Sequence, residues 1–173
     1  MIPILSAVPA PSFDHPLEML RACHGKILRQ CDTLQKLATH LVSHGCDKDA
    51  QQAAAGILRY FDTAGQFHHQ DEEENLFPAL RASAELPLLD KLLSEHEMMQ
   101  TAWQALRPVL MQLTEGNNTT LDETLTQPFI AAYTNHIKLE NTELLPLAAR
   151  MLNSSQLLQL GQRMAERRGA KFP

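Results

Sequence analysis

The sequence predicts an all-α protein: an up-down-up-down four-helix bundle followed by a short C-terminal helix. Three observations carry this expectation. Glycine and aromatic residues are scarce (7 Gly, 5% aromatic), while Leu, Ala, Gln and Glu abound. Apolar residues recur at steps of three and four over two long stretches. The gaps between helical patterns hold residues that start and stop helices. At 173 residues the chain suits one domain, with core enough to fold without disulfide or metal staples.

Taken in order, residues 1–13, with prolines at 3, 9 and 11, read as an irregular arm. The arm opens on apolar residues but lacks the length and basic flank of a signal peptide. A first helix begins at Asp14 or His15 as cap, with Pro16 in its first turn, and Gly45 stops it. Its stripe is Leu17, Leu20, His24, Ile27, Cys31, Leu34, Ala38 and Leu41. A second helix runs from about Asp49 to the Leu80 region, Ser83 to Leu86 form a linker, and Pro87 opens the third. The third stripe is Leu89, Leu92, His96, Met99, Trp103, Leu106, Leu110 and Leu113, broken by Gly116-Asn117-Asn118. Thr120-x-x-Glu123 reads as a capping box for the fourth helix. The bundle thus spans 14–150. Residues 151–173 hold a short amphipathic helix packed on it, with Leu157, Leu158, Leu160 and Met164 after Asn153-Ser154-Ser155. Pro78, Pro108, Pro128 and Pro146 fall inside helical patterns, where each is expected to kink or end its helix. Short connections make successive helices antiparallel.

Charge and cysteine usage exclude several function classes. The net charge is −5, and the 15 Lys and Arg are scattered apart from Arg163, Arg167, Arg168 and Lys171, so no nucleic-acid partner is expected. No apolar run approaches the roughly 20 residues of a membrane span. Cys23, Cys31 and Cys46 are odd in number and follow no CxxC spacing, which argues against a disulfide framework or a thiolate zinc site and for a cytoplasmic location. Nothing in the sequence indicates a homo-oligomer.

Each apolar stripe contains one strongly polar residue, and in both it is a histidine: His24 and His96. The second and fourth helices contain the same motif, His68-x3-Glu72-x3-Leu76-Phe77-Pro78 and His136-x3-Glu140-x3-Leu144-Leu145-Pro146. The stripe histidines lie at matched distances upstream, 44 residues before His68 and 40 before His136. The chain therefore reads as two copies of a helix pair packed with approximate two-fold symmetry. On a helix, residues four apart project from one face, so an imidazole and a carboxylate can reach the same ion or adjacent ions. Two such pairs plus one histidine from each remaining helix supply four nitrogens and two carboxylates. That set suits two Fe ions, with Mn or Zn as substitutes. The expected split gives one ion to His24 and His68 and the other to His96 and His136, bridged by Glu72 and Glu140. Six ligands cannot saturate two six-coordinate ions, so positions remain for an oxo or hydroxo bridge and a small exogenous molecule.

A lone histidine in an apolar stripe is more often a hydrogen-bonded core residue than a ligand. Two of them, with two His-x3-Glu repeats at matched spacing, reverse that expectation, because unpaired Glu is almost never fully buried. His69-x3-Glu73 has the same internal spacing, but alignment on Leu76-Phe77-Pro78 and Leu144-Leu145-Pro146 selects His68 and Glu72. His69 and Glu73 lie about 100° further round the helix and are expected at the surface or behind the ligands. Gln100, Trp103 and Tyr133 are further candidates to back the ligands or line a pocket, with ordinary core packing as the alternative for the two aromatics. His15 reads as a helix start, and His40 and His44 as helix-end cations. Cys31 reads as a small core residue.

With His24, His68-x3-Glu72, His96 and His136-x3-Glu140 on four successive helices, residues 14 to 150 resemble the hemerythrin-like family, also called HHE cation-binding domains. The resemblance implies a non-haem di-iron site in a four-helix bundle whose partner is a small diatomic ligand or peroxide: dioxygen, nitric oxide or peroxide. Ferritin-like bundles instead place Glu before His at a spacing of three. Oxygen-carrying hemerythrins have a second histidine four residues from the first on the third helix, where this sequence has Leu92 and Gln100, and they end in His-x4-Asp rather than His136-x3-Glu140. The set of four histidines and two glutamates is similar to that of bacterial proteins that repair iron centres after nitrosative or oxidative stress. Those add a small cysteine-bearing N-terminal domain, for which this chain has no room. The expectation is a binder or sensor of a small oxidant. The rivals are a di-iron oxidoreductase or repair protein, which needs an electron path that no second cofactor motif supplies, and an iron-storage or interaction module with a structural metal.

Overall fold

The computed structural model describes residues 11–173, so positions 1–10 of the expected arm lie outside the described residues. Helix α1 (Pro16–His44) begins with Pro16 in its first turn, and His15 caps it without a side-chain bond. It ends at Gly45, whose φ of +71° only glycine adopts without cost and whose N–H reaches Leu41 O. The second helical stretch is not the single helix expected. It comprises α2 (Lys48–Phe61), α3 (Ala64–Asp71), a π-helical turn (Glu72–Leu76) and α4 (Phe77–Arg81). Asp47 caps α2 by accepting from Ala50 N–H. The break falls at Asp62 and Thr63. There Asp62 turns its carboxylate to the next helix, accepting from Trp103 Nε1 at 3.1 Å and Arg107 Nε at 2.9 Å.

Helix α5 (Pro87–Thr114) opens at Pro87 as expected. The fourth stretch is α6 (Glu123–Leu139), a second π turn (Glu140–Leu144) and α7 (Leu145–Met151). Asp122, not Thr120, caps α6, accepting from Thr124 N–H, which corrects the expected capping box. Helix α8 (Ser154–Arg167) carries a capping box that the sequence reading did not name, Asn153 with Gln156. Pro108 and Pro128 sit inside α5 and α6 without ending them. Helix α1 packs on α2 and α6, α5 packs on the same two, and α8 lies against α1, α3 and the first π turn. The fold is thus the expected helical bundle with a C-terminal helix, and the described residues contain no strand.

Pro78 and Pro146 do not end their helices either, and the π turns explain why. Phe77 N–H reaches Glu72 O and Leu145 N–H reaches Glu140 O, five residues back rather than four. Each proline, with no N–H to offer, follows directly, where the ladder returns from the wide pattern to the ordinary one. The wide turn also corrects a drift. Residues four apart on an α-helix advance by roughly 40° per step, so His68, Glu72, Leu76 and Leu80 would spread over about 120°. At roughly 4.4 residues per turn, the π segment takes back about 70° of that. All four residues are buried, as are His136, Glu140, Leu144 and Ala148.

The core has two parts. One is built around Ile27, Leu34, Phe61, Met99, Trp103, Leu106, Phe129 and Tyr133. The other contains Leu20, Leu76, Phe77, Leu92, Leu144, Leu145, Leu160 and Met164. His24 follows Leu20 and precedes Ile27 by a turn, and His96 stands likewise between Leu92 and Met99. The polar residues therefore lie between two apolar layers.

Candidate metal centre

His24 on α1, His68 on α3, Glu72 and Glu140 in the π turns, His96 on α5 and His136 on α6 are all buried, the two glutamates with no exposure at all. Their donor atoms form two groups, His24, His68, Glu72 and Glu140, and Glu72, His96, His136 and Glu140, each within 4.8 Å. The carboxylates divide their oxygens between the groups. Glu72 Oε1 lies 3.4 Å from His68 Nε2 and 3.9 Å from His24 Nε2, while Oε2 lies 3.4 Å from His96 Nε2. Glu140 Oε2 lies 3.0 Å from His24 Nε2, while Oε1 lies 2.9 Å from His136 Nε2. This is the grouping expected from the repeat.

Despite these short separations, His24 Nε2, His68 Nε2 and all four carboxylate oxygens have no partner in hydrogen-bonding geometry. Buried carboxylates left so cost several kcal/mol each. Apart from His96 Nε2 and His136 Nε2, which meet at 3.0 Å, these donors converge without bonding to one another, as for a cation among them, and a nitrogen and oxygen donor set fits divalent first-row metals.

The far side of each ring sets which nitrogen is free. His24 Nδ1–H donates to Asn141 Oδ1 at 2.8 Å, His96 Nδ1–H to Glu73 Oε1 at 2.6 Å and His136 Nδ1–H to Glu95 Oε2 at 2.7 Å. Each bond fixes the tautomer that leaves Nε2 to the centre. Glu73 therefore backs a ligand ring, while Asn141 and Glu95 do so without having been singled out in the sequence. Asn141 occupies the position in the second repeat that Glu73 occupies in the first, a signal that alignment of the repeats offers. For Glu95 no such signal exists.

Electrostatics in the metal-free protein reflect the same crowding. Burial acts to lower the His24 imidazole, but Glu140 and Glu72 outweigh it and hold the ring up at about 10. His96, buried but beside Glu72 and Glu73, is raised to about 9. His68 falls well below the usual range through burial and the neighbouring His24. Burial and the Glu140 charge push Glu72 up. Protons on His24 and His96 thus occupy the place of cationic charge that two buried carboxylates demand.

His69 stacks on His96 (centroids 4.0 Å, 17° between planes) and on Tyr133 (5.8 Å, 12°), outside both groups of converging donors. It borders a cavity of about 440 Å³ that Gln66, Gln70, Glu73, His96, Glu97 and Gln100 also line, so Gln100 stands beside His96 as its spacing suggested. Trp103 packs on Phe61 and Phe129 and serves the helix break through Asp62, away from the ligands. Tyr133 joins the same aromatic group. His40 bonds Asp47 at the helix end, and Cys31 is a core residue.

A family model described as the hemerythrin HHE cation binding domain matches residues 15–148. A protein of Haemophilus influenzae described as uncharacterized is 34% identical over 162 residues, which cover 92% of this chain and 94% of that protein.

Proposed function

This chain belongs to the hemerythrin HHE cation-binding domain family, and from that premise we propose that it holds two iron ions and binds or senses dioxygen, nitric oxide or peroxide in the cytoplasm. The observation that carries the two-ion reading is the division of each buried carboxylate, one oxygen toward each histidine pair. His24 and His68 would hold one ion and His96 and His136 the other, with Glu72 and Glu140 each offering one oxygen to either position. Mn or Zn fits the same donors and would serve as a substitute. Iron held by this set would supply open coordination positions and one-electron exchange with a small oxidant. Around it, Asn141, Glu73 and Glu95 keep three rings oriented, and the apolar layers at Leu20 and Leu92 on one side and Ile27 and Met99 on the other keep bulk water out. The cavity beside His96 gives a small molecule a polar approach. Three free cysteines, two of them buried, suit a reducing compartment.

The test is metal analysis of anaerobically purified protein combined with its optical spectrum before and after each oxidant. About two irons per chain, with an absorption change on at least one of the three, is the expected result. A single zinc, or an iron-loaded protein that responds to none of them, sinks the reading.

A further inference from the structure

We propose that the two ion positions are unequal by construction: Glu73 and Glu95 make the His96 and His136 position the tight one, filled first, and the His24 and His68 position is the weaker. The inference rests on the two-ion reading above.

The inner donors are matched, two imidazoles and one oxygen from each bridging carboxylate at either position. The outer partners are not. Superposing the repeats pairs 24 with 96, 68 with 136 and 72 with 140, and so also 73 with 141 and 23 with 95. Each stripe histidine is held by the residue that follows the glutamate of the opposite repeat: His96 by the carboxylate of Glu73, His24 by the neutral amide of Asn141. Glu95 holds His136, but its counterpart is Cys23, and His68 Nδ1 is buried without a partner. One position is therefore backed by two carboxylates, the other by one amide. Lys91, mostly exposed, approaches only the outer oxygen of Glu95, at 3.8 Å.

A carboxylate accepting from Nδ1–H pushes electron density toward Nε2 and makes it the better donor to a cation. An amide does this weakly, and an unpartnered nitrogen not at all. Loss of such an outer partner lowers metal affinity about 10- to 100-fold. Two additional anionic groups behind one ion also favour cation binding there over the other position.

Titration of metal-free protein with Co(II) at one pH, followed by visible absorption and calorimetry, tests this. Two equivalents are expected to enter in two resolved steps. His24→Ala keeps the tight step and His96→Ala loses it. The near-isosteric Glu95→Gln weakens the tight step about 10- to 100-fold and leaves the other in place. Asn141→Asp strengthens the weaker step and brings the two together. Glu115→Gln, an exposed carboxylate at the far end of the same helix, changes neither. Two equivalents entering in a single step, or a Glu95→Gln protein in which both steps weaken alike or neither does, overturns the inequality and leaves the two-ion reading standing. Fewer than two equivalents in the unaltered protein overturns both.

Discussion

The two His-x3-Glu repeats present the same donors to the centre but are held in place by different means. In the first, Asp71 precedes Glu72, is fully buried, and is paired with Arg167 at the end of α8 and with Arg168 just beyond it. In the second, the residue before Glu140 is Leu139, which packs against the aliphatic part of the core. The first repeat is broken at Asp62. The corresponding Ile130 lies within the continuous α6. His69 has Ile137 as its counterpart, a core residue. Phe61 and Phe129, by contrast, are equivalent and meet edge to face across the bundle at 5.0 Å. Symmetry is kept where side chains converge on the axis and lost where each repeat is fastened to the rest of the chain.

Four changes break or sharpen this comparison. The largest effect is expected where the repeats agree: Glu72→Gln with Glu140→Gln abolishes metal uptake by elemental analysis. It also stabilises the metal-free protein to urea by about 1–2 kcal/mol, because two buried charges are removed. A metal-free double variant that is less stable breaks the claim that these carboxylates are kept for a cation. Next comes the fastening of the first repeat. Arg167→Ala with Arg168→Ala strands a buried charge and costs about 3 kcal/mol in urea unfolding, whereas Asp71→Leu, which copies Leu139, costs under about 1 kcal/mol. Equal losses for the two would remove the distinction.

A smaller effect belongs to His69. His69→Phe keeps a ring stacked on His96, so metal content stays at the unaltered value and stability shifts by less than about 1 kcal/mol. A fall in metal content would make His69 a ligand and shift the register by one residue. The smallest effect is at the break. The Arg107 guanidinium, with Trp103, holds Asp62 below the usual carboxylate range. Its folded value is depressed, so its contribution is present above the ordinary value near 3.8 and is lost as pH falls through the folded one. Asp62→Asn is expected to lower the stability to urea at pH 7 slightly, by under about 1 kcal/mol for this partly exposed pair, and to lower it less at pH 2. An equal loss at both pH values would assign the effect to geometry rather than charge.

Most of the centre was legible because the repeat writes it twice, and the repeat also chose His68 over His69. The bundle was legible from residues whose local chemistry is unambiguous, such as Pro16, Gly45, Pro87 and Gly116. What escaped depends on partners remote in sequence or on alternatives of similar local merit. The break at Asp62 is made by Trp103 and Arg107, some forty residues on. Thr120 and Asp122 are both good caps, and the structure uses Asp122. Glu95 neighbours a core histidine, a position that ordinarily faces solvent. Pro78 and Pro146 read as helix breakers because a missing N–H looks the same in sequence whether the helix ends or widens.

The widened turns set a rule for how the sequence can change. Each repeat carries one residue more between its glutamate and its proline than an ordinary helix needs, at the same place in both copies. Positions 73–75 and 141–143 differ in side chain between the copies, Glu73 standing against Asn141, but agree in number. A single deletion there removes the surplus residue and lets the ladder close to the ordinary pattern, so that His68 and Leu80 would stand about 20° apart round the helix instead of about 50°, and Leu80, like Ala148 in the second copy, would stay on the buried face. The extra residue is thus slack that the wide turn takes up, and losing it costs the phase of the helix little.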